Sequence, residues 1–148
     1  MNILDLQSYM DKMSEVRRKV RRNYHLTKGE LIEKLEECEK NKIIASSYKS
    51  YNGEMINVYI SGRLFSYRGY YSDMILEYTR NRDEATTVED LLRHLRNFDE
   101  MTGYKGGDFK VEDDTVVWLD AYGEAQGNAV MDLFETGELV LLFTKVIE

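Results

Sequence analysis

Apolar residues recur at spacings of three and four through Ile3, Leu6, Met10, Met13, Val16 and Val20, which predicts an amphipathic helix over residues 3–22. Residues 23–26 break the period. Thr27-Lys28-Gly29-Glu30 then has capping-box spacing, in which the threonine hydroxyl accepts from the third helical amide and the glutamate reaches back. The helix it opens is expected to run to about residue 40, burying Leu31, Ile32, Leu35 and Cys38. Two helices with a short break predict a helical hairpin over residues 1–41. From Lys42 the period shortens to two. Residues 43–49 and 55–60 read as strands, and Asn52-Gly53 between them is a hairpin signal. A strand at 73–78 and a polar loop at 80–86 follow. Thr87 opens a helix whose face is Val88, Leu91, Leu92, Leu95 and Phe98. Short strands then fit 109–111, 116–120, 129–134 and 139–147, with a turn at Thr136-Gly137.

That order predicts an α+β fold: a mainly antiparallel sheet packed by one internal helix, with an N-terminal helical hairpin. No repeat or low-complexity segment divides the chain. Residues 1–148 are expected to form a single domain, with 42–148 its α+β core.

Charge narrows the partners. A net charge of −7 and a pI near 5.0 argue against a general nucleic-acid binder. The lone Cys38 excludes an internal disulfide and points to a reducing cytoplasm. No apolar run reaches membrane-spanning length, and the first residues lack the pattern of a signal peptide. Within the acidic whole, Arg17, Arg18, Lys19, Arg21 and Arg22 crowd the first helix, while Glu30, Glu33, Glu36, Glu37 and Glu39 crowd the second. A phosphate contact would leave the basic cluster unneutralised, so a solvated face partly paired with the acidic helix is the favoured reading. The first helix also needs burial against something, which predicts a homo-oligomer through the N-terminal helices.

Reaction chemistry is sparse. His25, His94 and Cys38 lie too far apart to suggest zinc, and Asp113-Asp114 is expected to be a turn, so no metal or cofactor is predicted. There is no nucleophile elbow, and Gly-Tyr-Lys-Gly-Gly-Asp lacks P-loop spacing. No catalytic residue is assigned, and an enzyme is the less favoured reading. Binding chemistry is better represented. Tyr67-Arg68-Gly69-Tyr70-Tyr71 and Tyr104-Lys105-Gly106-Gly107-Asp108 each set one cation between aromatics beside glycine. Such groups can clamp an anionic, partly aromatic ligand, so Arg68, Tyr71, Tyr104, Lys105 and Asp108 are the expected ligand-binding residues. The competing reading takes them as core tyrosines and turn glycines, with Arg68 paired to Asp73 or Asp108.

Ser66-Tyr67-Arg68-Gly69-Tyr70-Tyr71 resembles the Ser-Trp-Arg-Gly-x-Tyr segment of a small-protein family common in tailed bacteriophages, with Tyr67 at the tryptophan position. The likeness continues through Gly103-Tyr104-Lys105-Gly106-Gly107-Asp108-Phe109, Asp114-Thr115-Val116-Val117-Trp118 and Gly127-Asn128-Ala129-Val130. It covers about residues 60–148. The resemblance implies a phage accessory protein working in the cytoplasm of the host cell. Joined to the residue chemistry, it leads to the expected function: binding and sequestering an anionic, nucleotide-like small molecule, such as a host defence signal. The alternatives are an inhibitor of a host protein through a protein interface, and a small enzyme acting on nucleotides.

Overall fold

The computed structural model describes residues 3–21, 24–65, 73–98, 100–102, 108–121, 124–125 and 127–147. Helix α1 spans Ile3–Arg21 and α2 spans Lys28–Glu36; strands β1 (Ile43–Lys49), β2 (Met55–Phe65) and β3 (Met74–Thr79) follow. Helix α3 (Val88–Asn97) precedes the short strands β4 (Glu100–Thr102) and β5 (Asp108–Lys110). Strands β6 (Val117–Asp120), β7 (Asn128–Glu135) and β8 (Leu139–Val146) follow.

Local signals account for the element ends. Thr27 and Glu30 form the expected capping box, and Thr87 caps α3 by accepting from the Asp90 amide. Helix α2 stops at Glu36, short of residue 40, because Lys40 turns back on it. The ammonium donates to the carbonyls of Glu36 at 2.6 Å and Cys38 at 2.8 Å, taking up acceptors that a longer helix would have bonded. Cys38 is buried beyond the helix, and its Sγ donates to the Lys34 carbonyl.

The α+β architecture is present, and its sheet closes into a six-stranded barrel in the order β1-β2-β3-β6-β7-β8. β1–β2, β2–β3, β6–β7 and β7–β8 pair antiparallel. Closure comes from two parallel contacts, Ile43↔Leu139 onward between β1 and β8 and Met74↔Val117 onward between β3 and β6. β4 and β5 form a separate two-stranded sheet. Exposed Asp113 and Asp114 make the turn that leads from β5 to β6.

Alternate residues point inward, as the pleat requires. Ile44, Ile60, Leu76, Leu119, Val130 and Val140 are fully buried, and with Leu31, Leu35, Leu91 and Leu95 of α2 and α3 they form one core cluster. These helices meet the end of the barrel where β1, β3, β6 and β8 begin: Val88 N donates to Lys42 O, and Ile43 bridges Thr87. A second link runs through β2, whose register with β3 shifts between Ile60 and Leu64. There Gly62 takes φ +90°, and an added Cβ would meet Thr86 at 3.1 Å. His94 Nδ1–H of α3 donates to the Gly62 carbonyl at 2.9 Å.

The β6–β7 seam is short, pairing only at Trp118↔Ala129 and Leu119↔Asn128. Past those pairs, residues 25–29 lace the gap. Leu26 N donates to Val130 O at 2.9 Å, Val117 N to Leu26 O at 3.1 Å and Lys28 N to Thr115 O at 2.8 Å. His25 Nε2–H donates to Val117 O at 2.7 Å with its ring edge-on to Trp118, and burial lowers its pKa, which keeps it the neutral donor. Lys28, nearly buried, donates to Phe98 O at the end of α3, where a cation complements the helix dipole.

The two N-terminal helices pack on different neighbours. α2 lies along α3, whereas α1 lies on β7. Tyr9 of α1 sets its ring against Phe134 and Phe143, and Val16 is buried beneath the helix. No helix among the described residues is long and apolar enough to cross a membrane.

Candidate functional site

The open, helix-free end of the barrel is floored by two stacked aromatic rings. Tyr48 at the end of β1 and Tyr78 at the end of β3 stack with centroids 4.8 Å apart and planes 26° apart. Both are buried, and their hydroxyls reach the rim. Tyr78 donates to Glu124 Oε2 at 2.7 Å; Arg80 donates to the Tyr48 hydroxyl at 3.1 Å and sits 3.5 Å from the same Glu124 oxygen. Burial, then the bonds to Tyr48 and Glu124, pushes the Tyr78 hydroxyl far above an ordinary tyrosine, so it stays a donor at neutral pH.

Glu124 is held in place from below. Asp120, the last residue of β6, accepts from the amides of Ala121 and Ala125, each at 2.8 Å, and so folds the turn that carries Glu124. Asn128 opens β7 and joins that turn to β1, donating to Ala125 O at 2.9 Å and accepting from Lys49 N at 3.2 Å. Above this base lies a groove of about 630 Å³ lined by Lys49, Ser50, Tyr51, Asn52, Gly53, Glu124 and Val146. Its far wall is the β1–β2 hairpin, where Gly53 takes φ +84° at the expected Asn-Gly turn. Tyr51 stands 91% exposed on that turn.

Asp120 carries the one orphaned buried side-chain oxygen among the described residues. It is fully buried, and its Oδ2 has no partner. Burial raises its pKa against the two amide bonds, and the charge on Glu124 adds to the rise. A raised carboxyl stabilises the fold below its unfolded pKa and loses that contribution as pH rises through its folded pKa. A charge on Asp120 is therefore a cost set against its work in the turn. Asp120→Ala should destabilise by about 2 kcal/mol through two lost buried bonds. Asp120→Asn keeps the Oδ1 acceptor and drops the charge, so its melting temperature should equal or exceed wild type at pH 7. A loss in Asn as large as in Ala would show that the orphaned oxygen has a charged partner.

The residues expected from sequence to bind ligand are not among the described residues that line this groove. Arg68, Tyr71, Tyr104 and Lys105 lie outside the described residues. Asp108 opens β5 opposite Thr102. Asp73, a proposed partner for Arg68, accepts from the Trp118 indole N–H at 2.8 Å.

The basic cluster resolves into two kinds of residue. The lysines of α1 converge on one carboxylate of β7. Fully buried Asp132 meets Lys12 at 2.7 Å and Lys19 at 2.5 Å on Oδ2, with Lys34 of α2 at 3.3 Å and the Leu133 amide at 2.8 Å on Oδ1. A register shift between Val130 and Asp132 turns this residue outward to face the helix. The lysines and the amide hold its carboxyl down at about 2 despite burial. The sequence held a signal for it: an acid inside the apolar run Ala129-Val130-Met131-Asp132-Leu133-Phe134, and lysines seven residues apart on one helix face. The arginines Arg17, Arg18 and Arg21 make no ion pair among the described residues; the acidic helix sends Glu36 to Arg96 of α3 instead.

These features define a helix-capped six-stranded barrel with a filled interior and a polar groove at its open end. No family model, no curated protein and no solved structure matches the chain.

Proposed function

We infer that this protein binds a small anionic molecule with a planar, nucleotide-like group and holds it intact at the open end of the barrel. The observation that carries the reading is the groove between the β1–β2 hairpin and the Glu124 turn. A cation, Lys49, and an exposed ring, Tyr51, line it, and Arg80 borders it through Glu124. The barrel interior is packed with side chains, which leaves the rim as the place for a ligand. An ammonium for a phosphate and a ring for a base is a sufficient minimal recognition set. The groups beneath are set for holding rather than proton transfer, since Tyr78 keeps its proton and Glu124 is engaged by Tyr78 and Arg80. The resemblance of residues 60–148 to a tailed-phage family supports placing this activity in a phage accessory protein in the host cytoplasm, sequestering a host signal.

Native mass spectrometry of protein purified from bacterial cells tests this directly, followed by calorimetric titration with ATP as the probe. A retained small molecule, or ATP binding weakened about tenfold in Lys49→Ala, is the expected result; a charge-assisted contact of about 1.5 kcal/mol corresponds to that factor. Loss in Arg68→Ala with Lys49→Ala unaffected would move the site to the β2–β3 connection. The absence of both a retained molecule and ATP binding would overturn the reading. A second reading rests on the same hairpin: Tyr51 and the 61% exposed Met55 present apolar surface suited to a protein partner. A co-purifying host protein lost in Tyr51→Ala would favour it.

A further inference from the structure

Helix α1 leaves one face without a partner among the described residues. Tyr9, Lys12, Val16 and Lys19 turn toward β7, whereas Leu6, Met10, Met13 and Arg17 follow a four-three-four spacing on the flank. Leu6 is 51% and Met10 58% exposed, and a groove runs beside them along Gln7, Asp11, Met13, Ser14 and Arg17. This spacing is the seam of a two-helix contact.

We propose that this face is covered by the same face of a second copy, with the two α1 helices antiparallel and crossing at Ser14. Charge selects that occupant and that direction. Toward its C-terminal end the seam carries Arg17, Arg18 and Arg21, without ion pairs among the described residues, while Asp11, bonded only to Gln7 Nε2, lies toward the other end. A parallel pair would set each arginine beside its own copy. An antiparallel pair brings Arg17 and Arg18 of each copy to Asp11 of the other, twice by symmetry. With the crossing at Ser14, Met10 meets the aliphatic stem of Arg17 from the second copy and Leu6 meets that of Arg21, so arginine stems complete the apolar seam. The short side chain of Ser14 lets the axes approach. Because the fold of each copy is anchored through Asp132 on the opposite side of α1, dimer formation leaves the monomer intact.

Sedimentation velocity and native mass spectrometry on the full chain test this at 1–100 μM, an order-of-magnitude window typical of modest interfaces. Wild type should be a dimer whose dissociation constant rises with salt. Met10→Glu should weaken it at least tenfold, and its circular-dichroism melt should match that of wild type diluted below the dimer dissociation constant, since Met10 is outside the core. Asp11→Lys and Arg17→Glu should each weaken it, and the double reversal Asp11→Lys with Arg17→Glu should restore it. A monomeric wild type at the highest concentration, a dimer indifferent to Met10→Glu, or a double reversal no better than its parents would each overturn the proposal.

Discussion

Asp132→Ala should cost this protein about 3 kcal/mol of stability, although the residue does not line the groove. The substitution removes one fully buried carboxylate and leaves Lys12, Lys19 and Lys34, whose side chains are 15%, 19% and 30% exposed, facing one another without a counter-charge. Their stems can carry the ammonium groups outward, so the repulsion should be relieved by α1 lifting from β7. Trypsin should therefore cut within residues 12–21 much faster in the variant, in step with a lower urea midpoint. The pH dependence has a fixed sign. The folded carboxyl sits at about 2, below its ordinary value near 3.8, so its contribution is complete above pH 4 and disappears as pH falls through 2. A shift of that size corresponds to about 2–3 kcal/mol. The gap between wild type and Asp132→Ala should thus be full at pH 7 and shrink toward pH 2. Equal urea midpoints at pH 7 would show that the lysines do not anchor the helix.

The second large effect belongs to Leu26→Ala, at about 3–4 kcal/mol. Leu26 is fully buried, belongs to the core cluster, and sits in the segment that laces β6 to β7. Its backbone bonds to Val130 and Val117 survive the change, so what is lost is packing at the place where the barrel has the fewest ladder bonds of its own. Hydrogen exchange should report this as early loss of protection at the amides of Leu26 and Val117, before the β7–β8 ladder. A loss below 1 kcal/mol, or protection lost everywhere together, would mean that the seam closes without the lacing.

What the sequence disclosed was local. The Thr27 capping box, the helix start at Thr87, the Asn52-Gly53 turn and the strand after Thr136-Gly137 depend on neighbours within a few residues, and each stands where expected. Closure depends on pairs nearly a hundred residues apart, such as Ile43 with Leu139. Nothing in alternation distinguishes an open sheet edge from one that meets another strand. The stripe of α1 was visible but composite. Val16 turns in with Lys12 and Lys19, while Leu6 and Met10 turn out, because the buried charge of Asp132 sets which way the helix faces. For the groove, the signal is Lys49 at the end of the first strand and Tyr51 in the hairpin turn, a pair that local pattern marks only as strand end and turn. Tyr48, Tyr78 and Glu124 are scattered along the chain and meet only through the barrel.

The lacing by residues 25–29 has a further consequence for how the protein comes into being. These residues leave the ribosome early, yet Thr115, Val117 and Val130, to which they bond, come some ninety to a hundred residues later. β1 likewise waits for β8, whose Leu139 pairs with Ile43. The barrel cannot form progressively during synthesis, and its closing step is a search between segments some ninety to a hundred residues apart. Folds dominated by such distant pairings are slow, in the millisecond-to-second range. Until β8 arrives, the apolar inner faces of β1, β2 and β3 have no barrel to enclose them, and the nascent chain is exposed to aggregation for that interval.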